Sequence, residues 1–253
     1  MASPIRADIA LVERGFFESR AKARAAIEAG LVTADGVRVA KASEALSPKA
    51  RVEASAPHPW VSRGGVKLAH ALDCFGFDPA VRLCLDVGAS TGGFTQVLLA
   101  RGAALVIAID VGHGQLHPSL ASDPRVVSLE KTDARALTRE MIVSAARNAG
   151  LDAGRPMVIT CDVSFIGLDK VLPSVLALAT PGSELVALIK PQFEAGAGRR
   201  KRSIVRDAAL HEQICSHAAR LVTSLGFDVL GVEPSPILGG DGNREFLLGA
   251  RRP

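Results

Sequence analysis

Leu83-Cys-Leu-Asp-Val-Gly-Ala-Ser-Thr-Gly-Gly-Phe94 is the stretch whose reading decides the fold. Leu83, Leu85 and Val87 are apolar and Cys84 tolerates burial, which is how a parallel strand covered on both faces reads. Gly88, Ala89, Ser90, Thr91, Gly92 and Gly93 follow, a run of small residues, and Phe94, Val97, Leu98 and Leu99 then open a helical pattern. Strand, glycine-rich turn and helix make the opening unit of a nucleotide-binding α/β sheet. Small residues let a ligand approach the backbone, and the helix N-terminus offers unpaired N–H groups.

The turn is not G-x-G-x-x-G and no G-K-[ST] follows, which argues against a dinucleotide or a nucleoside triphosphate. A carboxylate at Asp86 would repel a pyrophosphate but suits a cationic amino group. A second strand, residues 104 to 109, leads to Asp110, 24 residues after Asp86. That spacing fits an acid that binds ribose hydroxyls. The combination points to S-adenosylmethionine, held by Asp86, by Gly88 through Phe94, and by Asp110 with Val111.

The chain has 253 residues, 48% of them hydrophobic, and a formal charge of +4. That supports one large or two smaller domains with a real core, and a mild basic bias permits a nucleic-acid partner without demanding one. Cys74, Cys84, Cys161 and Cys215 form no C-x-x-C pair and read as buried free thiols in a reducing cytosol. No charged-then-apolar leader opens the chain and no apolar run is long enough to span a bilayer, so a cytoplasmic protein is expected.

Residues 1 to 55 differ from the rest. A short helix around Ala10 to Val12 stops at Gly15, Ser19 caps a second helix ending at Gly30, and a hairpin turns at Asp35-Gly36. Arg20 and Arg24 share a helix face flanked by Lys22. Residues 56 to 62 contain two prolines and read as a linker, and 63 to 253 as the second domain. There Arg63 and Lys67 precede a helix expected over 68 to 75. Two cations at a helix start beside Gly64 and Gly65 suggest that an anion docks there.

Beyond the opening unit, strands and helices alternate. Strand three, 126 to 129, leads to Asp133 and Ala134, placed to contact the adenine. Strand four, 157 to 161, ends on Asp162, strand five, 184 to 189, ends on Lys190, and strands at 227 to 232 and 245 to 250 close the sheet. This order predicts a mostly parallel, doubly wound, seven-stranded Rossmann-like α/β domain with ligands at the carboxyl strand ends. A lysine directly after Val-Ala-Leu-Ile needs a partner, and Asp162, Glu194 and Glu245 are the candidates. Arg199, Arg200, Lys201 and Arg202 form the densest basic cluster and read as a clamp on RNA phosphates. His113 and His117 sit four apart, but Gly114 and Pro118 break any helix there and no third ligand is evident, so no metal is expected.

Lys67, Asp162, Lys190 and Glu245, in this order, resemble the catalytic set of FtsJ-type ribose 2′-O-methyltransferases. Ser-Arg-Gly-Gly-x-Lys-Leu at 62 to 68, the 86 to 94 turn, Asp-Val-Gly-x-Gly-Gln-Leu at 110 to 116, Asp-Val-Ser-Phe-Ile at 162 to 166 and Lys-Pro-Gln-Phe-Glu at 190 to 194 resemble the TlyA branch, also called hemolysin A. Residues 6 to 54 resemble its S-four-type RNA-binding module, which makes Arg6, Arg20, Lys22 and Arg24 further expected RNA contacts, and Arg63, at the helix start where an anion is expected, is another. The resemblance implies methylation of a cytidine ribose in ribosomal RNA, with ribosomal subunits as partners. Asp133 departs from the family, where Asn is expected.

The chemistry can be argued from the residues as well. A ribose hydroxyl must lose its proton as it attacks a sulfonium methyl, and a neutral lysine can take it; a nearby cation and partial desolvation favour the neutral form. Strand four ends Asp-Val-Ser-Phe without prolines, unlike enzymes that methylate exocyclic amines. Cytosine C5 chemistry needs a cysteine nucleophile, and Cys161 and Asp162, as strand neighbours, point to opposite faces. The alternatives are an RNA-binding assembly protein with an inactive methyltransferase fold and, with no supporting amphipathic segment, a lytic protein.

Overall fold

The structure, a computed structural model, describes residues 3–151, 157–194 and 204–253. Contacts divide the chain into two compact units, Met1–Pro59 and Trp60–Pro253.

In the first unit, helix Ala7–Glu13 packs with helix Arg20–Glu28, whose first turn is capped by Ser19 accepting from the Lys22 N–H. Strands Val32–Ala34 and Val37–Arg38 form the expected hairpin, and Val52–Ala54 pairs on the other edge. Asp35 and Gly36 both take positive φ, 52° and 79°, as a tight two-residue turn requires. Leu11, Ile27, Val32, Val39 and Leu46 fill the core.

The second unit is built on a seven-stranded sheet. Its strands are β1 (Leu83–Val87), β2 (Leu105–Ile109), β3 (Val126–Leu129), β4 (Val158–Cys161), β5 (Glu184–Ile189), β6 (Asp228–Pro234) and β7 (Phe246–Arg251). Their spatial order is β6-β7-β5-β4-β1-β2-β3. The first five run parallel, while β7 lies antiparallel to both β5 and β6. Helices α1 (Gly64–Phe75) and α2 (Gly93–Ala100) are the first two, followed by α3 (Arg139–Asn148), α4 (Leu168–Leu176) and α5 (Ala208–Ser224).

Side-chain parity divides the core. Leu85, Ile107, Ile159 and Ala187 join one cluster with Ile142, Leu172 and Ile214 from α3, α4 and α5. Cys84, Val106, Val158 and Val186 join the other with Leu68, Leu72, Val97 and Leu98 from α1 and α2. Both faces are thus covered, the arrangement that near-continuous apolar strands require.

Two expectations need correction. Helix α1 begins at Gly64, so Lys67 lies in its first turn and not before it. The helix includes both glycines, and at Gly65 no larger residue fits: a Cβ there would meet Trp60 Cγ at 2.4 Å. Cys74 is exposed and Cys215 half-buried; only Cys84 and Cys161 are buried, and all four are free. Helix α1 opens with no side-chain cap, and Arg63 at its N-cap is exposed.

Candidate active site

The turn after β1 is shaped by what stands over it. Gly88 has φ 85°, and a Cβ there would lie 2.6 Å from the Asp162 carbonyl oxygen. A Cβ on Gly93 would lie 2.1 Å from Ser62 Oγ. Ser90, with φ 48°, holds a left-handed backbone that costs a non-glycine residue about 1 kcal/mol. Its N–H donates to Asp110 Oδ2 at 2.8 Å, and Gly112 N–H donates to the other oxygen at 2.7 Å. Asp110 therefore ties the ends of β1 and β2 together.

Two cavities meet at this turn. One, of about 480 Å³, is lined by Asp110, Val111, Asp133, Ala134 and Ile166; the other, of about 280 Å³, by Arg63, Lys67, Thr91, Phe94 and Lys190. Gly88, Ser90, Asp162 and Ser164 belong to both. The larger cavity fits an adenosine group: it has an acid at one strand end and apolar walls. Ala89 and Gly92 complete the turn. Asp133 is engaged within its own segment, accepting from Arg135 N–H at 2.9 Å and pairing with its guanidinium at 2.6 Å, and that guanidinium holds the carboxyl down at about 2.

Asp86 does not reach either cavity. As an even-numbered residue of β1 it points into the α1–α2 layer and is fully buried, accepting from Thr95 Oγ1 at 2.6 Å and Thr160 Oγ1 at 3.1 Å. Burial pushes its carboxyl up to about 6 against those hydrogen bonds. Direct contact with a cofactor amino group, expected from the motif, is replaced by a buried link between β1, β4 and α2.

The two lysines take separate partners. Lys67 Nζ lies 2.5 Å from Glu245 Oε2, with both side chains buried. Lys190 Nζ lies 2.5 Å from Asp162 Oδ1, close enough for an ion pair but off the hydrogen-bond axis, and donates to Ser164 Oγ at 3.0 Å. The topology explains the gathering. Asp162 and Lys190 follow adjacent parallel strands, and β7 runs the other way, pairing Phe246 with Ile189, so the residue before it reaches the same rim. Glu194 is not Lys190's partner; it accepts from Leu168 N–H at 3.0 Å at the start of α4, and burial raises its carboxyl to about 7. Cys161 is fully buried and its thiol is pushed up to about 12 by burial, which suits no nucleophile.

Of the expected RNA contacts in the first unit, Arg6 and Arg20 both bind the buried Asp8, at 3.0 and 2.8 Å, and Lys22 pairs with Glu18 at 2.5 Å. The guanidinium of Arg6, first, holds the Asp8 carboxyl down at about 2. Arg24 is exposed. Arg199, Arg200, Lys201 and Arg202 lie outside the described residues. Sequence reasoning missed Ser62, Thr95, Thr160 and Ser164. The serines flank recognised residues, Arg63 and Asp162, but carry no periodicity of their own, and the threonines meet Asp86 only across the sheet.

A family model for FtsJ-like methyltransferases matches residues 60–252, and one for the S4 domain matches residues 5–52. The chain belongs to the FtsJ-like methyltransferase family. Within it, the methyltransferase is 44% identical over 254 residues to the 16S/23S rRNA (cytidine-2′-O)-methyltransferase TlyA of Mycobacterium tuberculosis, covering 99% of this chain and 91% of that one. It is 39% identical to Hemolysin A of Brachyspira hyodysenteriae, over 96% of this chain and 98% of that one. The solved structure of a protein described as a hemolysin from Streptococcus thermophilus superposes with a TM-score of 0.74 at 36% identity, covering 100% of this chain and 90% of that one. The methyltransferase is thus a TlyA-type member whose cofactor is S-adenosylmethionine. No helix among the described residues is long and apolar enough to cross a membrane.

Proposed function

We propose that this methyltransferase methylates the 2′-hydroxyl of a cytidine ribose in ribosomal RNA, with Lys190 as the base. The observation that carries the reading is the Lys190–Asp162 pair at the junction of the two cavities. S-adenosylmethionine supplies an electrophilic methyl group on a cationic sulfur. Asp110 would hold its ribose, with Val111 and Ala134 beside the base, and the turn from Gly88 to Gly93 would face the rest.

In its neutral form Lys190 Nζ would accept the hydroxyl proton as the oxygen takes the methyl group and the electron pair of the broken carbon–sulfur bond stays on the sulfur. Asp162 and Ser164 fix the nitrogen in place before that happens, so most of the gain comes from alignment. Lys67, held by Glu245, gives the second cavity a buried cation next to exposed Arg63, a setting for a ribose oxygen or a phosphate. Residues 1–55 act as the RNA-binding module, 56–62 as a linker and 63–253 as the catalytic domain, in a cytoplasmic enzyme. Ribosomal subunits are its partners.

The test is incubation of purified protein with labelled cofactor and ribosomal RNA, followed by mapping of 2′-O-methyl cytidine. Label on a ribose oxygen is expected. Label on a base, or none despite cofactor binding, overturns the reading, and the second outcome favours an RNA-binding protein with an inactive fold.

A further inference from the structure

Ser164 does not belong to the lysine–carboxylate set, yet among the described residues it is the hydrogen-bond partner of Lys190 Nζ, accepting at 3.0 Å. The Asp162 carboxylate is near the same nitrogen at 2.5 Å but off axis for a hydrogen bond. An off-axis ion pair attracts the nitrogen without fixing which way its remaining bonds point. A hydrogen bond does fix it.

The segment bearing Ser164 is also held against the one bearing Lys190. Phe165, next in the chain, has φ 67°, a left-handed backbone unfavourable for an aromatic residue. It is kept there by its ring lying 5.0 Å from that of Phe193, three residues after Lys190 in the short helix Pro191–Glu194, and Glu194 of that helix accepts from Leu168 N–H. Ser164 itself is exposed and borders both cavities.

We infer that Ser164 is a positioning residue: its hydroxyl oxygen takes one N–H of Lys190 and so turns the remaining face of the nitrogen toward the hydroxyl to be deprotonated. The contact of the Phe165 and Phe193 rings keeps that oxygen at the junction. The inference rests on the proposed role of Lys190.

The test compares Ser164→Thr with Ser164→Val, which share shape and differ in the hydroxyl. Single-turnover methyl transfer at saturating RNA and cofactor, the RNA concentration dependence, cofactor affinity by calorimetry and thermal unfolding are measured for both and for wild type. Threonine is expected to keep the wild-type rate within about three-fold, and valine to lose about thirty-fold, roughly 2 kcal/mol. Cofactor affinity, apparent RNA affinity and unfolding temperature should match between the two. Valine as fast as threonine overturns the inference, as does a valine loss that saturating RNA or cofactor restores. If threonine fails as badly as valine while both stay folded, the hydroxyl is not what matters and the inference also falls. Lys190→Ala run alongside separates the two claims: full activity there sinks the base assignment, whereas an inactive Lys190→Ala with fast Ser164→Val sinks only the role of Ser164.

Discussion

Lys67–Glu245 and Lys190–Asp162 share a nitrogen–oxygen separation of 2.5 Å but not a setting. The first pair has side chains 9% and 4% exposed; in the second the lysine is 10% and the carboxylate 20% exposed, and the lysine has a hydroxyl as a further partner. A deeply buried pair is costly to break, because removing one partner strands the other charge. A pair at a cavity junction can exchange partners with water or substrate. The difference teaches that two ion pairs of equal length can differ in how far their partners are committed, and the proposed base is the lysine of the less buried pair.

The largest expected effect tests the reactive side. Lys190→Ala should lower single-turnover methyl transfer by more than about a thousand-fold, ~4 kcal/mol, with cofactor affinity nearly unchanged. Lys190→Arg should be almost as damaging, since guanidinium keeps its proton and accepts none. If the arginine variant retains more than about a tenth of the rate, a loss below ~1.4 kcal/mol, the lysine serves only as a charge and the distinction between the pairs collapses.

Stability should show the opposite order. Glu245→Gln leaves Lys67 buried without its counter-charge and should cost about 3 kcal/mol in urea unfolding. Asp162→Asn should cost about 1 kcal/mol, because Lys190 keeps Ser164 and some access to water. Equal costs would mean that the two pairs are not different in kind.

Asp86 sharpens the contrast, as a buried acid with hydroxyl partners and no cation. Its carboxyl is raised by burial to about 6, so between about pH 4 and pH 6 the folded protein binds more protons than the unfolded chain. Its contribution is fully present below the unfolded value and is lost as pH rises through about 6. Unfolding free energies across that range should fall for wild type, by up to about 3 kcal/mol from this group, and stay flatter for Asp86→Asn. A variant with the same slope as wild type assigns the titration to another group.

The smallest effects come from matched glycines. Gly88→Ala would push its Cβ against the Asp162 carbonyl at 2.6 Å from a backbone with φ 85°, and should cost about 2 kcal/mol and disturb the Lys190 pair. Gly239→Ala would meet Glu245 Oε1 at 2.4 Å, a side-chain tip with some room to shift, and should cost about 1 kcal/mol. Rates measured beside unfolding would show methyl transfer falling further for Gly88→Ala; the reverse would mean that the closed pair governs the chemistry.

The sequence by itself determined the strand–turn–helix opening, the alternation that makes a parallel sheet, and the acids and lysines at its carboxyl ends. These are local facts: a five-residue apolar run, a string of small residues and a charge where a strand stops carry their meaning in place. It also fixed the Ser19 cap and the Asp35-Gly36 hairpin, whose geometry is set within four residues. Only the tertiary structure decided who meets whom. Lys190 had three possible partners in the sequence, and Lys67 bonds a carboxylate 178 residues away, because β7 turns antiparallel beside β5 and delivers Glu245 to the rim. Asp86 looked like a ligand until strand parity turned it toward Thr95 and Thr160, on elements that meet only when the sheet is assembled. Pairings of that range depend on strand order and direction, which no local pattern encodes.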